Sequence, residues 1–391
     1  MLDRSSYVAI FFYDSVMVSN VPLGPGFFRL TVYMATQPPN ETACNPAPDK
    51  APDGLVSPPR LWGWHTFISG AGTLVIFGVL AAFVDWQGVW REFIRSQKGY
   101  ILLGMACHYL TYPVRGLRWR CGLAHLPICG SWSQFGLIVF FYNFVDNLVP
   151  GKLGDLYAAH LARINFGIRR SAAIGSIAFL RMLDAWIVLA LAVVASFTML
   201  SGRLPFSVRW ALIGGGIIAF AATAMLLTFL ILNRSLPHWV PEKVRPMIQA
   251  FNSGMWPRAG ELPAILGLSA VVWGLETLWL FFLLVGFDQV LNGSEILFLT
   301  MVPLLASAFP LTPSGAGVVE VTLYNCLRIV GLSGPLAGSI TVLNRFIDYW
   351  LHIALGGVVW TMRRRLKIRT WHEEAAVRKA GGRPSFFSAF K

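Results

Sequence analysis

Twice in this chain an apolar stretch is broken by proline and glycine, an acid follows, and a second apolar stretch carries Arg-x-x-Asp-x-Trp. The first copy reads Pro150-Gly-Lys-Leu-Gly154-Asp155, then Arg181-Met-Leu-Asp184-Ala-Trp186. The second reads Pro313-Ser-Gly-Ala-Gly317-Val-Val-Glu320, then Arg345-Phe-Ile-Asp348-Tyr-Trp350. The arginine comes 31 residues after Pro150 and 32 after Pro313. Helix breakers and charges inside apolar sequence are costly in lipid. Two copies in one order therefore point to a duplicated polar site held within a membrane.

The remaining composition fixes the solvent. Of 391 residues, 55% are hydrophobic and 13% charged, about half the charge of a usual soluble domain. Six apolar runs have the length of a bilayer crossing, near 66–85, 100–117, 172–200, 211–232, 262–286 and 336–361. Two further segments, 133–166 and 295–331, are interrupted at Pro150-Gly151 and between Pro310 and Gly317. Their halves are short for a full crossing, and broken helices persist at membrane depth only where protein or a water-filled cavity surrounds them. The reading is an all-α integral membrane protein with about six full spans and two re-entrant hairpins. A disordered tail is expected over 1–60, because 36–60 is rich in Pro, Asn, Asp and Ala. The membrane domain spans 61–365, with repeat halves near 100–210 and 262–362, and a basic tail covers 366–391.

The net charge of +13 sits mainly in short segments between apolar runs, where it sets topology and meets anionic lipid. No basic domain is left for nucleic acid. Arg363-Arg364-Arg365 places the C-terminus in the cytoplasm, and counting back puts the richer Arg/Lys segments and the N-terminus on the same side. The Arg181 and Arg345 spans then run in opposite directions, so the repeats are inverted, as in many secondary transporters. At about 1.5 Å per residue both arginines lie roughly 14–15 Å deep, near the middle of a ~30 Å hydrocarbon layer.

The site candidates follow from that depth. Arg181 and Arg345 offer forked donors to a phosphate oxyanion; the structural reading beside it is that each pairs with its own Asp184 or Asp348, or with the opposite hairpin. Asp155 and Glu320 follow the hairpin tips, as coupling acids or as charges favoured by a helix N-terminus. Glu276 sits mid-span with no symmetric partner and is expected to pair with an arginine. Asn147 and Lys152 flank the first tip as substrate contacts, with Asn143, Asp146 and His160 behind them. Arg115 and Arg118, with Trp119, read either as a cytoplasmic anchor or as a landing place for an anionic headgroup. His108 and His352 read as ordinary helix residues. Cys44, Cys107, Cys121, Cys129 and Cys326 show no metal spacing. No metal and no cofactor is expected, and neither an ATP-binding nor a hydrolase motif is seen.

The run Asn147-Leu-Val-Pro-Gly-Lys-Leu-Gly-Asp155, then Arg181-x-x-Asp184, the Pro310-to-Glu320 break, Asn344-Arg345-x-x-Asp348 and Arg115-x-x-Arg118-Trp119 resemble the flippase-like transmembrane domain of lysylphosphatidylglycerol synthases. The likeness covers residues 62 to 365. It implies a prokaryotic cell-membrane protein (bacterial inner membrane) that moves a lipid between leaflets. It also implies that Asp155, Arg181, Asp184, Glu320, Arg345 and Asp348 line a central polar cavity. The soluble aminoacyl-transfer domain is missing, so synthesis of lysylphosphatidylglycerol is not expected. The function expected is a flippase for an anionic or phosphate-bearing lipid headgroup, not an enzyme. Two rivals stay open: a membrane-embedded lipid-modifying transferase, and a non-transporting assembly partner. The partner expected is a membrane lipid, with a second copy of the chain left open.

Overall fold

The computed structural model describes residues 16–23, 27–34, 78, 85–128, 130–148, 153–200, 205–234, 241–242, 244–307, 315–363, 365–366 and 368. The expected span at 66–85 lies almost wholly outside them, as do the two hairpin tips at 149–152 and 308–314 and most of the C-terminal tail.

Every described element from residue 85 onward is helical. Helix α1 (Trp86–Arg95) starts at Asp85, whose carboxylate accepts the Gly88 N–H at 3.0 Å, a side-chain cap. Trp86, Trp90 and Ile94, four residues apart, form an exposed apolar stripe, while Arg91 and Arg95 lie off it. Such a face suits a headgroup boundary. Helix α2 (Lys98–Gly122) follows, then α3 (Trp132–Leu148), α4 (Gly154–Phe166), α5 (Arg170–Leu200) and α6 (Phe206–Arg234). The second series is α7 (Arg245–Met255), α8 (Leu262–Gly286), α9 (Gly293–Ala306), α10 (Val318–Ile329) and α11 (Gly334–Arg345). From α11 the chain passes through a π-helical turn (Phe346–Leu351) into α12 (His352–Thr361).

Among the described residues, three helices are long and apolar enough to cross a membrane: Arg170–Met199, Val208–Thr228 and Leu262–Gly286. They match the expected runs at 172–200, 211–232 and 262–286. Helix α2 has 25 residues, but Arg115, Arg118 and Arg120 make its second half too polar to read as simple lipid-facing sequence. The expected single span at 336–361 is two helices joined by the π turn. On α6, Phe206, Ile217 and Phe220 are exposed. An apolar helix with so little of itself buried is a helix for lipid.

One expectation changes at the N-terminus. Within the segment read as a disordered tail, β1 (Val16–Leu23) and β2 (Phe27–Met34) pair antiparallel, with Val16 opposite Met34 and Leu23 opposite Phe27. The Pro/Asn-rich composition lies downstream of it. These strands carry Val, Phe, Tyr and Thr, which suit a pleated ribbon.

The helices pair in an exchanged pattern. Helix α2 packs along α8, the leading helices of the two halves. Helix α3 packs on α4 and α9 on α10, while α5 packs on α9 and α12 on α3. The Arg181 helix α5 thus packs on the broken segment of the other half, while in the second half it is α12, the helix after Arg345, that packs on α3. The α2–α3 crossing needs two glycines: a Cβ on Gly116 would overlap the Gly136 backbone, a small-residue contact of the kind that lets membrane helices approach closely.

Two apolar cores result. One gathers Phe135, Phe141, Leu161, Phe166 and Phe179; the other gathers Trp279, Leu283, Phe298, Met301 and Ile340. Helix α5 belongs to the first through Leu180 and to the second from Val188. Helix α8 changes core between Ile265 and Trp273, and α2 between Ile101 and Tyr112. Asp184, Ser269 and His108 fall in those intervals. The polar groups therefore sit at the seam between two dry cores.

Candidate functional site

A cavity of about 570 Å³ opens at this seam. Both repeats reach it: Arg181, Asp155 and Asp184 from the first, Arg345 and Asp348 from the second. Arg115 and His108 enter from α2 and Glu276 from α8. Its remaining wall is largely apolar, with Met225, Leu226, Leu299 and Pro303 among the lining.

In the first half the arginine meets the acid behind the hairpin tip. Arg181 holds Asp155 with two donors, Nη2 to Oδ1 at 2.9 Å and Nε to Oδ2 at 3.3 Å. Asp146 Oδ2 stands 3.5 Å from the same guanidinium, while its Oδ1 accepts the Gly154 N–H at 2.8 Å. Asp146 therefore serves the first turn of α4 as well as Arg181, using the unpaired N–H groups of a helix start. The Arg181 side chain is still 37% exposed and lies over the Tyr142 ring at 5.6 Å.

The second half repeats the pairing in a closed form. Arg345 Nε lies 2.6 Å from Glu320 Oε1, and Glu320 Oε2 accepts the Gly317 N–H at 2.6 Å. Gly317, at φ 88°, sits in the left-handed region that lets the chain turn into α10. Here the guanidinium is only 4% exposed, whereas Asp348, 3.7 Å away, is 39% exposed. Arg345 also lies 4.5 Å from the Tyr349 ring.

Helices α2 and α8 supply the other partners. Arg118 forks onto Asp184, Nη1 to Oδ1 at 2.6 Å and Nη2 to Oδ2 at 2.8 Å, and reaches Ser269 Oγ at 3.0 Å. The Trp273 indole N–H donates to the same Asp184 oxygen at 3.2 Å. Arg115 Nη2 donates to Glu276 Oε1 at 2.8 Å and lies 5.4 Å from the Trp273 ring. His108 Nδ1 is 3.4 Å from Glu276 Oε2, and its Nε2 is 3.6 Å from Asp348 Oδ1.

These contacts revise the sequence reading in three places. Asp184 holds Arg118, not Arg181, because the hairpin acid takes Arg181 first. Arg115 and Arg118 are not an interfacial anchor: Arg118 and Trp119 are buried, and both arginines face mid-span acids. Asn147 is a tie between the halves: its Nδ2 lies 3.5 Å from the Asp348 carbonyl, and its own carbonyl accepts the Tyr349 hydroxyl at 2.9 Å. Glu276 has its arginine in Arg115. Asn143 donates to Val139 O of its own helix at 2.9 Å, and His160 is buried in α4. Lys152 lies outside the described residues. His108 was passed over, although an ionisable group at the middle of an apolar run is a signal by itself.

Among the described lining residues, three arginines (Arg115, Arg181, Arg345) face five acids (Asp146, Asp155, Asp184, Glu276, Asp348). The empty cavity thus holds more negative than positive groups.

The matching residues and spacing extend over most of the chain: residues 67–356 match the lysylphosphatidylglycerol synthase TM region. The chain belongs to that family. A UPF0104 membrane protein of Methanocaldococcus jannaschii is 26% identical over 223 residues, covering 57% of this chain and 95% of the relative. Another from Pyrococcus horikoshii is 24% identical over 332 residues, covering 75% of this chain and 98% of the relative. No solved structure matches. Membership, together with the apolar helices, makes this a multi-pass membrane protein.

Proposed function

We propose that the chain is a lipid carrier: it passes an anionic or phosphate-bearing headgroup between leaflets through the seam cavity while the acyl tails stay in lipid. The observation that carries this reading is Arg181, a guanidinium more than a third exposed inside a cavity of about 570 Å³ shared by both repeats. That volume falls in the range of small-ligand sites. A phosphate arriving there competes with Asp155 for the two forked donors, a bidentate match that a guanidinium makes well. A charge carried to the bilayer centre otherwise costs at least a few kcal/mol.

On this reading α3–α4 and α9–α10 are re-entrant hairpins entering from opposite faces, the repeats are inverted, and the termini are cytoplasmic in the cell membrane. The hairpins meet the spans through equivalent pairs, Asp155–Arg181 and Glu320–Arg345. The reading involves no covalent step.

The test is leaflet exchange in vesicles, using a tail-labelled anionic phospholipid and, for comparison, tail-labelled phosphatidylcholine. The native chain is expected to expose the anionic probe to an external quencher, and Arg181→Ala to slow this at least about tenfold. Exchange by Arg181→Ala at the native rate would overturn the proposal. So would a change in the probe's covalent structure, which would favour a transferase.

A further inference from the structure

The two leading helices place different donors at like positions. His108 stands 10 residues past the start of α2 and Trp273 stands 11 past the start of α8. Each reaches across to the aspartate of the other half: Trp273 to Asp184 at 3.2 Å, His108 to Asp348 at 3.6 Å. An indole N–H is a permanent donor. An imidazole nitrogen donates only when it carries a proton.

His108 is buried, with a side chain 5% exposed, and both ring nitrogens face carboxylates. A neutral imidazole has one N–H, so one carboxylate would face a lone pair. The Nε2 atom makes no hydrogen bond among the described residues. The surrounding groups are Glu276 from α8, Asp348 from the π turn and Arg115 from its own helix. Tyr109 and Tyr112 pack edge-on, Trp279 lies beside the ring, and His352 of α12 stacks on Tyr112. Arg345 and Glu320 complete the ionic chain through Asp348. With His108 neutral this chain counts two arginines against three acids; with His108 protonated the charges are equal.

We propose that His108 is a proton-binding site that grips Asp348 when charged and frees it when neutral, and that this proton is the coupling ion of headgroup movement. Binding forms an N–H bond from the ring lone pair and a proton taken from cavity water; release returns the pair to the ring and the proton to water. Loading closes the second half around Asp348. Release leaves an exposed anion next to the cavity and loosens the seam between α2 and the π turn. The coupling role rests on the carrier reading above; the proton site does not.

Imidazole nitrogen resonances of the full chain in lipid nanodiscs test the site. His108→Gln identifies the His108 signals among the seven histidines. These signals are expected to pass from imidazolium to neutral as the pH is raised. Glu276→Gln and Asp348→Asn are each expected to weaken proton binding about tenfold, since each removes a facing anion. One protonation state throughout, or a titration that neither substitution moves, overturns the site. In vesicles of phosphatidylcholine with tail-labelled phosphatidylglycerol, an imposed pH difference is expected to change the native exchange rate several-fold. In His108→Gln the ratio of rates with and without the gradient is expected to fall to one. Native exchange indifferent to the gradient overturns the coupling. Absence of any native exchange defeats the carrier reading and the coupling with it, while the proton site stands or falls by the resonances.

Discussion

The first repeat holds its arginine open and its aspartate closed; the second does the reverse. Arg181 is 37% exposed and Asp184 14%, whereas Arg345 is 4% exposed and Asp348 39%. The motif is the same, Arg-x-x-Asp-x-Trp, and the hairpin acid pairs with the arginine in both halves. What differs is the neighbour on the leading helix. Arg118 clamps Asp184 from one side and Trp273 from the other, while among the described residues the Asp348 carboxylate faces His108 and a more distant Arg345. A duplicated sequence thus gives two unequal environments, and the cavity presents one cation from one half and one anion from the other.

The comparison breaks most visibly at the buried pair. Arg345→Ala leaves Glu320 buried beside an empty space and is expected to cost about 3–5 kcal/mol, read as a large fall in the thermal midpoint of purified protein. Arg181→Ala is expected to cost under about 1 kcal/mol, because exposed pairs contribute little, and to act on lipid exchange instead. Equal losses of stability in the two variants would mean that the exposure difference has no energetic content.

The aspartates sharpen the same contrast. Asp184→Asn should destabilise by about 2–4 kcal/mol, since it removes the charge opposite a buried Arg118. Asp348→Asn should cost about 1.4 kcal/mol while His108 is charged, the tenfold change in proton binding expressed as energy, and less once it is neutral. At the tie between halves, Tyr349→Phe loses the hydrogen bond to the Asn147 carbonyl, about 1 kcal/mol. Denaturation midpoints measured side by side rank all five.

Much of this was legible in the chain itself. The duplicated breaks single out Asp155, Glu320, Arg181 and Arg345 as polar groups, and the apolar runs at 172–200, 211–232 and 262–286 are helices of about that extent. Partner choice was not legible. Sequence spacing favours Arg181 with Asp184, three residues apart on one helix, yet both side chains turn to other helices, because partners across a seam depend on packing. The burial of Arg118 and Trp119 was hidden for a related reason: a basic cluster at the end of an apolar run looks like an interfacial anchor until α5 and α8 are seen to supply Asp184 and Ser269. His108 was masked by its setting, a lone histidine among aromatic residues whose two acids come from distant sequence. The strands at Val16–Leu23 and Phe27–Met34 were overshadowed by the Pro-rich stretch after them.

The wide turn at Phe346–Leu351 lies between α11 and α12, starting at the residue after Arg345. Such turns contain one surplus residue and recur where a protein needs a side chain aimed out of helical register. Asp348 and Tyr349 both lie within this one. The corresponding stretch of α5 runs on without interruption through Asp184. Shortening 346–351 by one residue would turn α12 against α11 and carry Tyr349 away from the Asn147 carbonyl it now reaches. Stretches of equal spelling thus coil differently, tightly in one copy and widely in the other.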